Sequence, residues 1–359
     1  MSVLSREPGA RGGLIEAPSA LRAKLPLLSA LAFLLVAMLV GLFVGPADIG
    51  PGAIVRSALS HVPLLHVHSN LSATDSAILW QLRAPRVVLG LLVGGMLALA
   101  GGSYQGAFRN PLVDPYLLGV AAGAGLGATL AIAYGGGAVD SFDLLPLAAF
   151  AGAGLAVVLA WLLGTSAGGS RSPATLVLAG VTVVAFLTAI QTFVQQQHAQ
   201  SLQEVYSWIL GRLGTAGWHD VALVTPYIAV SCIVLLMHRR LLDVLAVGDE
   251  EATTLGMNVR RARMTVVVFA TIGTAAAVAV SGLIGFVGII VPHAVRLAIG
   301  SSYRVVLPMS LLCGGGFLVL ADVLARTVIS PAELPIGVVT AFFGAPFFAV
   351  VLRTSGSFR

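Results

Sequence analysis

Nine stretches of this chain are apolar and free of charge, and each reaches most or all of the way across a lipid bilayer. They are residues 26–46, 87–108, 115–139, 144–170, 172–197, 221–237, 264–292, 305–321 and 334–352. A spanning helix needs about 20 apolar residues to cross about 30 Å of hydrocarbon. Inside that layer every backbone polar group must be satisfied within the protein, which favours helices. The seventh stretch is too long for one upright helix and is interrupted by Ser281-Gly282 and by Pro292, so it splits near Gly282 into a full helix and a short one reaching about Ala298. Ten spans follow. The pattern predicts an all-α, polytopic membrane protein built as one bundle of about ten transmembrane helices. Only 10% of the residues are charged, against about 25% in soluble domains, so a soluble fold is excluded.

Residues 1–24, with Arg6, Arg11, Arg22 and Lys24, form an N-terminal tail ahead of the first run, and residues 25–355 form the membrane domain. No small-residue cleavage site follows that run, so it reads as a retained anchor helix. Cytoplasmic loops collect Lys and Arg. With both termini cytoplasmic, ten spans put Arg109, Arg171, Arg239, Arg240, Arg260, Arg261, Arg263, Arg304, Arg353 and Arg359 inside. Arg56, Arg83, Arg86, Arg212 and Arg326 fall outside, and Arg296 lies within a span.

The membrane part offers little chemistry. Cys232 and Cys313 sit inside apolar runs and imply neither a disulfide framework nor a metal cluster. His293, Arg296, Asp322, Arg326 and Glu333 lie toward span ends, and Asp322 and Arg326, four apart on one helix face, can pair with each other. A phosphate-cradling loop needs a glycine-rich turn followed by Lys and Ser or Thr, and the sole lysine is Lys24 in the tail. This chain is therefore not an ATPase, and it needs no bound cofactor. An ion-driven transporter would need a carboxylate near the bilayer midplane, yet the runs 87–108, 144–170 and 264–292 contain no Asp or Glu. Glycines four apart, such as Gly90 with Gly94 and Gly123 with Gly127, suit close helix packing in lipid. Nothing in the pattern points to nucleic acid.

One polar stretch stands apart. Residues 247–263 place Asp249, Glu250, Glu251, Arg260, Arg261 and Arg263 in a cytoplasmic loop between the sixth and seventh spans. Gly248 and Gly256 bracket a short helix-compatible segment that includes Ala252 and Leu255. A membrane protein with a compact polar helix and no energy source of its own suits a soluble motor domain as partner; an ordinary solvated loop is the plainer alternative.

Four ordered motifs carry a resemblance. "LRAPRVVLGLLVGGMLALAGGSYQGAFRNPLVDPYLLG" (82–119), "GDEEATTLG" (248–256), "SGLIGFVGIIVPHAVR" (281–296) and "ADVLARTVISPAELPIGVVTAFFGAPFF" (321–348) resemble the permeases of type II ABC importers. That FecCD or BtuC-like family takes up iron chelates, haem and cobalamin. The resemblance implies a permease in a bacterial inner membrane, paired with a second copy or a close paralogue. Two cytoplasmic ATPase subunits that bind ATP and Mg, an extracytoplasmic binding protein and membrane lipids complete its partners. It assigns Gly248, Asp249, Glu250, Glu251, Ala252, Leu255 and Gly256 to ATPase coupling. Arg83, Arg86 and Arg326 would then grip glutamates of the binding protein from an outer rim; anchoring to lipid headgroups is the alternative. Gln105, Asn110, Pro111, Ser281, Gly282, Gly285 and Gly288 are the expected path or gate residues, the last three glycines crowding one region at threefold spacing. Arg212 stands where the family more often has a small residue. His61, His66 and His68, in an outer loop, could capture haem or metal, or be solvated. The cargo expected from the resemblance is a ferric siderophore, with haem or cobalamin as alternatives.

Overall fold

A computed structural model describes residues 20–60, 68–136, 144–166 and 173–355, and within these the chain is helical with no strands. The ten longest helices are numbered here in chain order: α1 Ala20–Phe43, α2 Ala84–Phe108, α3 Val120–Tyr134, α4 Leu144–Ser166, α5 Pro173–Gln197, α6 Trp218–Val247, α7 Val259–Ser281, α8 Val287–Ile299, α9 Tyr303–Thr327 and α10 Ile336–Ser355. They correspond one for one to the ten expected spans. Seven are long and apolar enough to cross a membrane, and α3, α8 and α10 supply shorter apolar stretches. At 13 residues, α8 extends about 20 Å. It is a half-span entered through the break after α7.

The second span is longer than its uncharged run suggests. Ala73–Ala77, a π-helical segment Ile78–Arg83 and α2 form one continuous helix of 36 residues. Nearly every residue of α2 is buried, because it lies at the centre of the bundle against α9, α7, α6 and α8. Outer helices behave oppositely: Leu162, Leu178, Phe186 and Phe193 of α4 and α5 face outward, as lipid contact allows.

Small residues set the closest approaches. A Cβ at Gly94 would run into the carbonyl of Gly314 on α9, and one at Gly123 into that of Gly152 on α4. Without a hydrophobic drive between helices in lipid, such backbone proximity supplies packing attraction. Gly90 is different: a Cβ there would meet Val319 at an ordinary 3.4 Å. Cys232 and Cys313 are free and half-buried.

Candidate functional site

The polar stretch folds as a protruding element. Asp249–Thr254 is a six-residue helix. It is closed by Gly256 at φ +80°, with the Met257 N–H donating to the Ala252 carbonyl at 3.0 Å and Gly256 N–H to Thr253 at 2.9 Å. Only a residue free to adopt the left-handed region makes that closure without strain. Ala252 is fully buried beneath the helix, whereas Glu250, Glu251 and Leu255 project outward. The base is locked: Arg263 donates from Nη2 to both oxygens of Asp249 at 2.9 and 3.0 Å and from Nε to the Ala107 carbonyl at 2.9 Å. Arg109, in the left-handed conformation as the cap of α2, stands 4.0 Å from Asp249. Asp249 thus ties the element to the bundle, and the two glutamates are left for something outside it.

At the same end, Gln105 joins three segments. Its Nε2 donates to the Gly288 carbonyl at 3.1 Å and the Val113 carbonyl at 3.4 Å, and its Oε1 accepts from Arg296 Nη1 at 2.6 Å. The Arg296 guanidinium also lies over the Tyr303 ring, 5.6 Å from its centroid. Asn110-Pro111 turns the chain sharply after α2, with Asn110 Oδ1 accepting from the Leu112 N–H at 2.9 Å. A cavity of about 280 Å³ opens among Gln105, Asn110, Pro111 and Arg296. Beyond the turn, Asp114 caps Pro115–Leu118 by accepting from the Tyr116 N–H at 2.7 Å. As a residue it is half-buried, but its carboxyl group is enclosed, and burial pushes it up to about 6 against that hydrogen bond.

The glycines after Ser281 lie in and beside a break in the helix, since residues 282–286 are not helical. Gly282 sits at φ +69°, and a Cβ there would run into the Trp208 carbonyl. Gly285 meets open space, while a Cβ on Gly288 would fall 2.9 Å from Pro115 Cδ. Each glycine answers a separate constraint. Ser281 is fully buried, donating to the Ala277 carbonyl at 2.9 Å, and its own carbonyl accepts from the Arg212 N–H at 2.8 Å.

The opposite end holds the main correction. Arg83, Arg86 and Arg326 form no open cationic rim; they are only 4%, 9% and 2% exposed. Arg86 grips Asp322 from Nε and Nη2 at 2.8–2.9 Å and Glu333 from Nη1 and Nη2 at 2.9 Å. Arg326 lies 3.7 Å from Asp322 and donates to the Gly41 carbonyl at 2.6 Å. Arg83 donates to the carbonyls of Leu42 and Ala47. The reason is the length of the second span. Arg83 and Arg86 lie well inside the helix that starts at Ala73, where a guanidinium requires partners. The Asp322–Arg326 proximity is as expected, but the stronger partner of Asp322 is Arg86, 236 residues away in sequence. Two charges in different apolar runs give no local signal of pairing.

A cavity of about 400 Å³ opens above this cluster, lined by Arg86, Arg212, Asp322 and Glu333. Glu333 is its most open charge, with 40% of its side chain exposed. His68 is exposed, while His61 and His66 lie outside the described residues. Among the described residues no group of three or more His, Cys, Asp or Glu side chains is placed to hold a metal ion.

Known proteins resemble this chain in sequence and fold. The profile of the FecCD transport family matches residues 33–354. A cobalamin import system permease of Halobacterium salinarum is 43% identical over 78% of this chain and 74% of its own. A hemin transport system permease of Yersinia pestis is 38% identical over 90% of this chain and 95% of its own. A solved ABC transporter of the metal-chelate type, in an inward-facing conformation, superposes with a TM-score of 0.79 at 28% identity, covering 92% of this chain and 99% of that one. With the family profile matching residues 33–354 and relatives similar over most of their length, the protein belongs to the FecCD transport family of ABC importer permeases.

Proposed function

We propose that this permease carries an iron chelate of the siderophore class inward through a path it forms with a second permease chain, driven by ATP hydrolysed in two partner subunits. The observation that carries the ATP-driven reading is the Asp249–Thr254 element. It is braced on the bundle through Asp249 and Ala252 and presents Glu250, Glu251 and Leu255 outward. A cleft in a soluble ATPase, complementary to two carboxylates and one leucine, would move this lever when nucleotide closes it. Its rigid ties to α2 and α7 then pass the motion to the spans. The binding of ATP and Mg belongs to those partners.

Orientation follows the arginines. Arg109, Arg260, Arg261, Arg263 and Arg304 sit with the lever at one end, so that end, and both termini, face the cytoplasm of a bacterial inner membrane. Gln105, Asn110, Pro111 and Gly288 lie where α2, α8 and their connections meet, and we assign them to the inner gate, whereas Ser281 and Gly282, against Arg212 and Trp208 at the far end of α7, are assigned to the path above it. An extracytoplasmic binding protein delivers the cargo to the opposite end. The buried arginines there shape its seat from below, through Glu333 and Arg212 at the cavity mouth, and do not meet it as free cations.

The iron-chelate reading draws on the metal-chelate type transporter that superposes over 92% of this chain, while the hemin permease, similar over nearly the full length of both chains, favours haem as an alternative. The second reading, cobalamin, is favoured by the 43% identity to the Halobacterium permease. Purifying the cognate binding protein with its natural load separates the readings by absorbance: ferric siderophore, haem and corrinoid spectra differ. Uptake of the same chelate by vesicles given ATP or an imposed ion gradient tests the energy source, and uptake driven by the gradient alone would sink the ATP-driven reading.

A further inference from the structure

A cavity of about 340 Å³ lies beside the lever, walled by Phe108, Trp161, Leu176 and Val259 and edged by Arg260 and Arg263. It is formed where the ends of α2, α4, α5 and α7 come together, all at the arginine-rich end of apolar spans. Arg263 is held by Asp249 and Ala107, which also neutralises the one carboxylate in the lining. Arg260 is exposed and makes no ion pair among the described residues. The cavity therefore presents an apolar wall and a net positive edge. Apolar surface continues from it toward the middle of the spans: Leu162, Leu163 and Leu178 are 58%, 42% and 67% exposed.

We propose that this cavity holds the headgroup of an anionic phospholipid, whose acyl chains lie along the exposed leucines of α4 and α5. Three independent features select that ligand. A guanidinium fork suits phosphate oxygens, basic pockets between helices on the cytoplasmic side suit anionic headgroups, and Trp161 is an aromatic at the depth where such side chains meet headgroups. A soluble phosphate would use the same arginine but leave the apolar wall unfilled. Lipid binding in this cavity does not depend on which cargo the permease carries. Its position between the lever and the bundle makes the lipid part of the lever's mounting.

Trp161 allows a direct measurement. The other three tryptophans, Trp80, Trp208 and Trp218, belong to the opposite end, where Trp218 donates to the Trp80 carbonyl. The whole chain is reconstituted in nanodiscs with acyl-brominated phosphatidylglycerol or phosphatidylcholine at equal mole fraction, and a Trp161→Phe chain supplies the background to subtract. Quenching of Trp161 should favour phosphatidylglycerol by about fivefold, the factor corresponding to about 1 kcal/mol for one arginine near an anionic surface. The preference should fall to about one in Arg260→Ala and be largely kept in Arg260→Lys. Inorganic phosphate at constant ionic strength should leave it unchanged. Equal quenching by the two lipids, or a preference that survives Arg260→Ala, overturns the proposal. Displacement by inorganic phosphate would assign the site to a soluble anion instead.

Discussion

Replacing Arg86 with methionine tests the buried charge cluster most directly. In the native bundle Arg86 supplies three close contacts to Asp322 and two to Glu333, all at 2.8–2.9 Å. Its loss leaves Asp322, with 3% of its side chain exposed, facing only Arg326 at 3.7 Å. Removing one partner of a buried pair costs about 3–5 kcal/mol, because the remaining charge is uncompensated. Glu333 is 40% exposed, so water can replace Arg86 there, and that arm contributes only about 0–1 kcal/mol. The effects should therefore be asymmetric: Arg86→Met strongly destabilising, Glu333→Gln nearly neutral. Adding Asp322→Asn to Arg86→Met should recover stability, since the orphaned charge disappears.

Thermal unfolding of the detergent-solubilised protein can be followed through Cys232 and Cys313, both free and half-buried, by their reaction with a fluorogenic maleimide. The expected order of Tm is wild type close to Glu333→Gln, then the Arg86→Met, Asp322→Asn pair, then Arg86→Met alone. Non-additivity of this sign is what contact through one network produces. If the double variant melts below Arg86→Met by the full effect of Asp322→Asn, the two residues act independently and the reasoning fails.

Three further outcomes follow from the geometry. Glu250→Arg with Glu251→Arg should abolish ATP-driven uptake and co-purification with the ATPase while leaving Tm unchanged, because both side chains are exposed; normal uptake would refute the docking role. Gln105→Leu leaves Arg296 Nη1 without its 2.6 Å acceptor, at a cost of about 1–3 kcal/mol for a polar group left unpaired, and should lower Tm accordingly; an unchanged Tm would count against a structural tie at Gln105. Asp114, whose carboxyl is raised to about 6, holds its proton more tightly folded than unfolded, so its contribution to stability is full below about pH 4 and lost as pH rises toward 6; Asp114→Asn should flatten the Tm profile across that window, and an unaltered slope would remove Asp114 as its source.

The ten helices were legible because each span must be apolar along its length, and even the break near Gly282 showed as a Ser-Gly pair in an overlong run. The polar helix Asp249–Thr254 was legible for the converse reason: its charges have no place in lipid. What the sequence hid was contact between distant elements. The uncharged run begins at residue 87, so Arg83 and Arg86 looked like the mouth of a span, although Ala73–Arg83 extends the helix through them. Likewise, threefold glycine spacing after Ser281 pointed to one crowded region but not to its backbone, which Phe286, left-handed at φ +70°, marks as non-helical. Spacing has meaning only once the local conformation is known.

Charge is used differently at the two ends of the bundle. At one end three arginines are consumed within the fold by Asp322, Glu333 and carbonyls of residues 41–47. That end offers a partner a preformed cavity with few free charges at its mouth. At the other, a single carboxylate, Asp249, is spent on holding the lever, and Glu250, Glu251 and Arg260 remain outward. A partner that must be pushed and pulled in every cycle gains from contacts that survive motion, and the rigid base at Asp249 and Ala252 supplies them with a fixed origin. Under the proposed function, a binding protein that delivers cargo and leaves needs a surface weak enough to release, and exposed pairs of about 0–1 kcal/mol each are suited to that. The burial of Arg86 therefore fits the division of labour: its pairing with Asp322 holds helices α2 and α9 together, and the weak electrostatics, Glu333 included, face outward.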